Sequence, residues 1–191
     1  NMRNDCGARE SDNVVIVFAE RGAIRLALNG EDDDDARTGD LDIRGDVTII
    51  GCSPETTRIT ADHESRVFEV HPRASLTLKR MRISKGQADI GGGLLNRGTV
   101  NLDDVSFFAN HAVGEDGEPG ERRGGCGGGG GSAGIGGAVV TLANSTTTIT
   151  GSGGRCLFDQ NKAQGGDGGA SLPDVAVTGG GRVLRRYCGG A

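Results

Sequence analysis

Aromatic residues are nearly missing from this chain. Trp is absent, and Phe, Tyr and Trp together make up only 3% of its 191 residues. A globule normally anchors its core on such side chains, so a core of stacked small aliphatic layers is expected instead. Excess positive charge is missing too. The net charge of −5 excludes a nucleic-acid binder dominated by phosphate contacts. No window approaches the roughly 18 consecutive apolar residues of a membrane-spanning helix, so no membrane insertion by this segment is expected. No Cys-x-x-Cys pair occurs among the five cysteines, which argues against a zinc site. The chain begins at Asn1 and ends in "YCGGA". It reads as a processed piece of a longer product, with targeting segments removed.

What is abundant is glycine, at 36 residues, and repetition. "MRISKGQA", "VSFFANHA" and "CLFDQNKA" align without gaps. Met81, Val105 and Cys156 then share a column, as do Ile83, Phe107 and Phe158, and the last column holds Ala88, Ala112 and Ala163. "TRITA" fits the same frame, with Ile59 under Ile83. The step is about 24 residues, inside the range that marks solenoids, propellers and arrays. Within each repeat the apolar period is two, as in "SLTLKRMRIS" and "TVNLDDVSF", with one corner residue between the pairs. No helical period is sustained.

These patterns predict an all-β chain, a right-handed parallel β-helix (β-solenoid) with three short strands per coil of about 24 residues and Gly-rich loop insertions. "RVFEV", "GGLLN" and "GAVVTL" are predicted as first strands; "DVTII", "SLTL", "TVNL" and "TTTIT" as second strands. Gly86, Asn110 and Asn161 are predicted at the corner after the third strand, where Gly and Asn tolerate a left-handed backbone. Stacked Asn side chains there could bond the corner backbone. Residues 1–191 form one domain: 1–40 an N-terminal coil or cap with an acidic loop, 41–112 regular coils, 113–137 a Gly-rich insertion, 138–191 C-terminal coils with a second Gly-rich loop.

The stretches "NGEDDDDARTGDLDIRGDVTIIG", "TTRITADHESRVFEVHPRASLTLKRMRISKGQA" and "GGGLLNRGTVNLDDVSFFANHA" resemble secreted bacterial proteins named for a Cys-Ser-Leu-Arg-Glu-Ala motif. The resemblance runs from about Cys6 to Ala112; of the naming motif, "CGARES" keeps Cys6, Arg9 and Glu10. "GGCGGGGGSAGIGGAVV" through "QNKAQGGDGG" resembles Gly-rich surface β-helices with the same coils. The resemblance implies a right-handed parallel β-helix similar to pectate lyases. It also implies an exported, extracellular or outer-membrane-associated location, generally without an assigned activity.

Candidate sites are sparse. Asp32, Asp33, Asp34 and Asp35 in "EDDDD" could hold calcium, an ion that prefers several oxygen ligands, but they lack the spacing of a calcium loop. A solvated acidic loop is the competing reading. Asp103 and Asp104 invite comparison with paired catalytic acids, yet fall at the corner between second and third strands. His63, His71 and His111 lie in different coils and read as scattered surface residues. Residues 124–137 lack the Lys-Ser/Thr of a phosphate loop and read as a flexible insertion, or as a surface for close backbone packing against another subunit. Cys6, Cys52, Cys126, Cys156 and Cys188 are disulfide candidates. With an odd number, at least one thiol stays free or pairs with another chain.

The leading functional class is a non-enzymatic extracellular or cell-surface scaffold, adhesive or a subunit of a self-associating fibre or layer. A polysaccharide lyase or hydrolase is the alternative, with polysaccharide as a candidate partner. A calcium- or ice-binding solenoid is the third class. Ice binding would need rows of Thr on one flat face; Thr48, Thr77 and Thr99 suggest a row, which Lys79 and Arg82 interrupt.

Overall fold

The computed structural model describes residues 13–26, 39–118, 131–151 and 156–168. All regular structure in it is β. In chain order the strands are β1 (Val14–Val17), β2 (Gly22–Arg25), β3 (Leu41–Ile43), β4 (Asp46–Ile50) and β5 (Thr57–Thr60). Next come β6 (Phe68–Val70), β7 (Ser75–Ser84), β8 (Gln87–Ala88), β9 (Leu94–Asn96) and β10 (Thr99–Phe108). The last are β11 (His111–Val113), β12 (Val139–Thr141), β13 (Thr146–Thr150), β14 (Leu157–Asp159) and β15 (Lys162–Gln164). Among the described residues no helix is long and apolar enough to cross a membrane.

The strands form three sheets, and every pairing within them is parallel. The largest has eight strands, with β1-β4-β7-β10-β13 as its path and β2, β5 and β14 alongside. The second runs β12-β9-β6-β3, and the third β15-β11-β8. From β6 onward the chain visits the second, first and third sheets in that order, then begins again. Parallel neighbours require a long return path, which each repeat supplies.

The register follows the sequence columns. Ile24 pairs with Ile59, Ile59 with Ile83, Ile83 with Phe107, and Phe107 with Phe158. Ile49, Leu78, Leu102 and Ile149 make a second row, and Ala88, Ala112 and Ala163 a third. Alternation turns these residues to one side of their strands, where Leu78, Ile83, Leu102, Phe107 and Ala112 are fully buried. The Phe107 and Phe158 rings stack at 5.3 Å between centroids, 2° from parallel.

Three details differ from the sequence reading. The predicted second and third strands are one continuous strand in β7 and in β10, bent at Arg80 and Asp104, whose φ values are 53° and 56°. Lys79 and Arg80 both stay off the core, so the bend restores the inward phase at Met81. The short strands β8, β11 and β15, which directly follow the predicted corner and were not predicted as strands, build a sheet of their own. The left-handed residues at that corner are Lys85, Ala109 and Gln160, one position before Gly86, Asn110 and Asn161.

The Asn residues hold the corner instead. The Gly86 N–H donates to Asn110 Oδ1 at 2.9 Å, while Asn110 Nδ2 donates to the Ile83 carbonyl at 3.2 Å. One repeat on, the Asn110 N–H donates to Asn161 Oδ1 at 3.1 Å, and Asn161 Nδ2 to the Phe107 carbonyl at 2.9 Å. The two side chains join directly, Asn110 Nδ2 to Asn161 Oδ1 at 2.9 Å. These bonds offset the cost of left-handed backbone at a non-Gly residue, about 1–2 kcal/mol.

Where the two Gly-rich excursions leave the repeats, their backbones lie side by side. The Ser132 N–H donates to Glu115 O at 2.8 Å, and the Gly166 N–H to Ser132 O at 2.9 Å. A Cβ on Gly166 would sit 1.9 Å from Glu115 O, so only glycine permits this approach. Close backbone packing therefore occurs here within one chain.

Candidate functional site

Among the described side chains, buried charge gathers on the outer face of the four-stranded sheet. Arg66 Nη1 lies 2.8 Å from Asp40 Oδ2 and 2.6 Å from Glu69 Oε2; its Nε donates to the Ile90 carbonyl at 3.3 Å. Arg97 Nε reaches the other Glu69 oxygen at 2.8 Å. Asp40, Arg66 and Glu69 are all buried, so the pairing compensates charges that would be costly alone. Beside them His71 Nε2 meets Asp42 Oδ1 at 2.6 Å. These contacts join successive repeats, and each side chain is held by partners within the chain. The sequence signal was faint. "RVFEV" reads as a plain strand that carries Arg66 and Glu69 three residues apart, and only the register of β3 on β6 brings Asp40 next to Arg66.

A cleft of about 460 Å³ opens beside the three-stranded sheet, lined by His63, Arg66, Gln87, Asp89, Val113 and Glu115 among others. Sequence reasoning scattered the histidines, whereas the fold brings two of them together. The His63 and His111 rings stack at 4.6 Å, 29° apart. His63 follows Asp62 at a left-handed corner, with φ of 49° and 68° at the two residues. Asp62 carries Arg25 Nε at 2.6 Å and Lys85 Nζ at 3.5 Å. Burial, then His111 and Lys85, lower the pKa of His63; Asp62 opposes them. His63 Nδ1 is buried without a hydrogen-bond partner among the described residues.

This lowered pKa has a consequence for stability. The unfolded imidazole takes up its proton near pH 6.5, the folded one only at lower pH. The unfolded state therefore binds more protons in between. Stability should fall as pH drops through about 6.5 toward the folded pKa, and be fully present above it. We expect the urea midpoint to decrease between pH 7.5 and 5.5, and to decrease less in His63→Gln. Equal decreases would remove His63 from the account.

The remaining nominated residues divide. Asp32, Asp33, Asp34, Asp35, Cys6, Cys126 and Cys188 lie outside the described residues. Cys52 and Cys156 are free thiols. Cys156 takes its place in the Met81–Val105 column, with Sγ 3.5 Å from the Val105 N–H. Cys52 is exposed, its Sγ donating to the Phe18 carbonyl at 3.4 Å. Asp104 forms the bend of β10, and Asp103 pairs in register with Lys79 and Thr150, so the two stand at a strand bend as the sequence suggested. Among the described residues, no three His, Cys, Asp or Glu side chains converge to hold a metal ion. No protein-family model, no curated protein and no solved structure matches the chain.

Proposed function

We propose that the chain winds as a right-handed parallel β-helix and serves as a non-enzymatic extracellular or cell-surface scaffold that assembles end to end. The recurring order of sheets and the register at steps of 24 residues, such as Leu76 to Val100, support the winding. The observation that carries the assembly is the inner row, which among the described residues ends half-covered. Leu102 and Phe107 are fully buried, yet their register partners Ile149 and Phe158 are 52% and 44% exposed. At the opposite edge the inward residues of β1, Val14 and Ile16, which continue the rows of Val47 and Ile49, are only half-buried. Parallel strands at an open edge template further strands. The two edges differ, so copies meet head to tail and a fibre can grow.

Sedimentation velocity over a range of concentrations tests this reading. The wild type should form species larger than a monomer, and Phe158→Glu should shift the distribution back toward monomer. A wild-type monomer at every concentration would end the proposal.

A further inference from the structure

The corner between the four-stranded sheet and the largest sheet alternates in length, and that alternation cuts a cleft. Two residues join β3 to β4 (44–45) and β9 to β10 (97–98), whereas four join β6 to β7 (71–74) and β12 to β13 (142–145). The longer corners form walls, and residues 97–98 form the floor between two of them. The cleft holds about 570 Å³, a size found in small-molecule sites. Pro72 and Arg73 line it from one wall, Leu142 and Asn144 from the other, and Arg97 and Thr99 from the floor.

Hydrogen bonds fix floor and wall to each other. The Gly98 N–H donates to Oδ1 of the buried Asn96 at 2.8 Å, and Asn96 Nδ2 donates to the Thr146 carbonyl at 2.9 Å. The Ser145 hydroxyl donates to the Asn96 carbonyl at 3.0 Å. A Cβ on Gly98 would sit 2.4 Å from Ala74 O, so this floor requires glycine. In the walls Arg73 and Asn144 are exposed and left-handed, with φ of 72° and 63°. Such backbone is uncommon outside glycine.

The lining carries two guanidinium groups and no carboxylate. Arg97 gives its Nε to Glu69, whereas Arg73 has no ion pair or hydrogen bond among the described residues. Two other acids stand near this corner. Asp42 meets His71, and Asp46 shares the register column of Thr99 but lies two strands away, beyond Ser75. The cleft is therefore positive in a chain whose net charge is −5.

We propose that this cleft binds a hexuronic acid, an acidic sugar. A guanidinium matches a carboxylate with two parallel N–H bonds. One uncompensated cation suits this monoanion better than a phosphate dianion. The Thr99 hydroxyl and the Asn144 amide can each donate and accept, as sugar hydroxyls do. Pro72 and Leu142 offer apolar surface to the C–H groups of the ring. No carboxylate lines the cleft to act as acid or base, so the sugar is held and not cut. The inference rests on one chain's corner geometry and stands whether or not copies assemble.

Titration of the full chain with glucuronate, followed through backbone amide shifts, tests the proposal. The shifts should saturate and centre on Arg97, Gly98, Thr99 and Asn144; glucose, acetate and inorganic phosphate should bind more weakly. Arg73→Gln should weaken glucuronate binding about 10–150-fold, the loss expected for a hydrogen-bonded charge. Arg58→Gln, on β5, should leave it unchanged. Circular dichroism checks that Arg73→Gln retains its β structure, and the wild-type shift map decides if it does not. Tighter binding of an oligoglucuronate supports the site and assigns it to an acidic polysaccharide; equal affinity supports it and assigns the free sugar. No saturable shift, or a map centred elsewhere, overturns the proposal. So does unchanged affinity in folded Arg73→Gln, or glucose, acetate or phosphate binding as tightly as glucuronate.

Discussion

Phe107→Asp is expected to unfold the protein. The Phe107 ring is fully buried, with Ile83 on one side in register and the Phe158 ring stacked on the other. Truncating such a ring costs about 3–5 kcal/mol. A carboxylate in its place adds several kcal/mol, because no described side chain of the inner row offers a cation. Total stability is typically about 5–15 kcal/mol, so one change of this size removes most or all of it. Phe158→Asp places the same charge in the same row at a position 44% exposed, and should cost far less. Urea denaturation followed by circular dichroism reads both. Equal effects would mean that the two rings do not share one graded row.

The second large effect is expected at Asn110, which is fully buried. Asn110→Ala removes the acceptor of the Gly86 N–H and a donor to the Ile83 carbonyl. Each buried group left without its partner costs about 1–3 kcal/mol, which puts the variant about 2–6 kcal/mol below wild type. Asn110→Asp keeps the acceptor for Gly86 but buries a charge and loses the donor, so it should not rescue. Asn161→Ala, at the half-buried next rung, should be milder. A loss at Asn110 within about 0.5 kcal/mol, the range of an ordinary surface change, would show that the ladder contributes nothing.

The inner rows were legible because two periods coincide in the sequence. Alternation fixed which face each residue takes, and the step of 24 residues set Ile83 over Ile59 and Phe107 over Ile83. The Asn ladder was legible for the same reason. Its left-handed residues were not, since Lys85, Ala109 and Gln160 have no preference for that conformation; at Lys85 and Ala109 the next amide is held by an Asn one repeat away. The short strands at Ala88, Ala112 and Ala163 are too brief to show alternation. His63 and His111 stand 48 residues apart, two full steps of the repeat, so the column through Gln87 joins them although no local pattern does. Thr99 was grouped with Thr48 and Thr77 although it stands two positions short of the 24-residue step, where Asn101 is the partner of Thr77 and Thr99 that of Ser75. A residue two positions out of step faces the same side of the sheet, so alternation does not reveal the slip, yet it has different neighbours.

The stacked inner row is the claim on which the rest depends, and nuclear Overhauser contacts between its side chains test it most directly. Methyl-labelled Ile and ring-labelled Phe should give cross-peaks from Ile59 to Ile83, from Ile83 to Phe107, and between the Phe107 and Phe158 rings. Absence of the Ile83–Phe107 contact in a folded sample, or contacts showing Ile83 and Phe107 on opposite faces, would contradict the account.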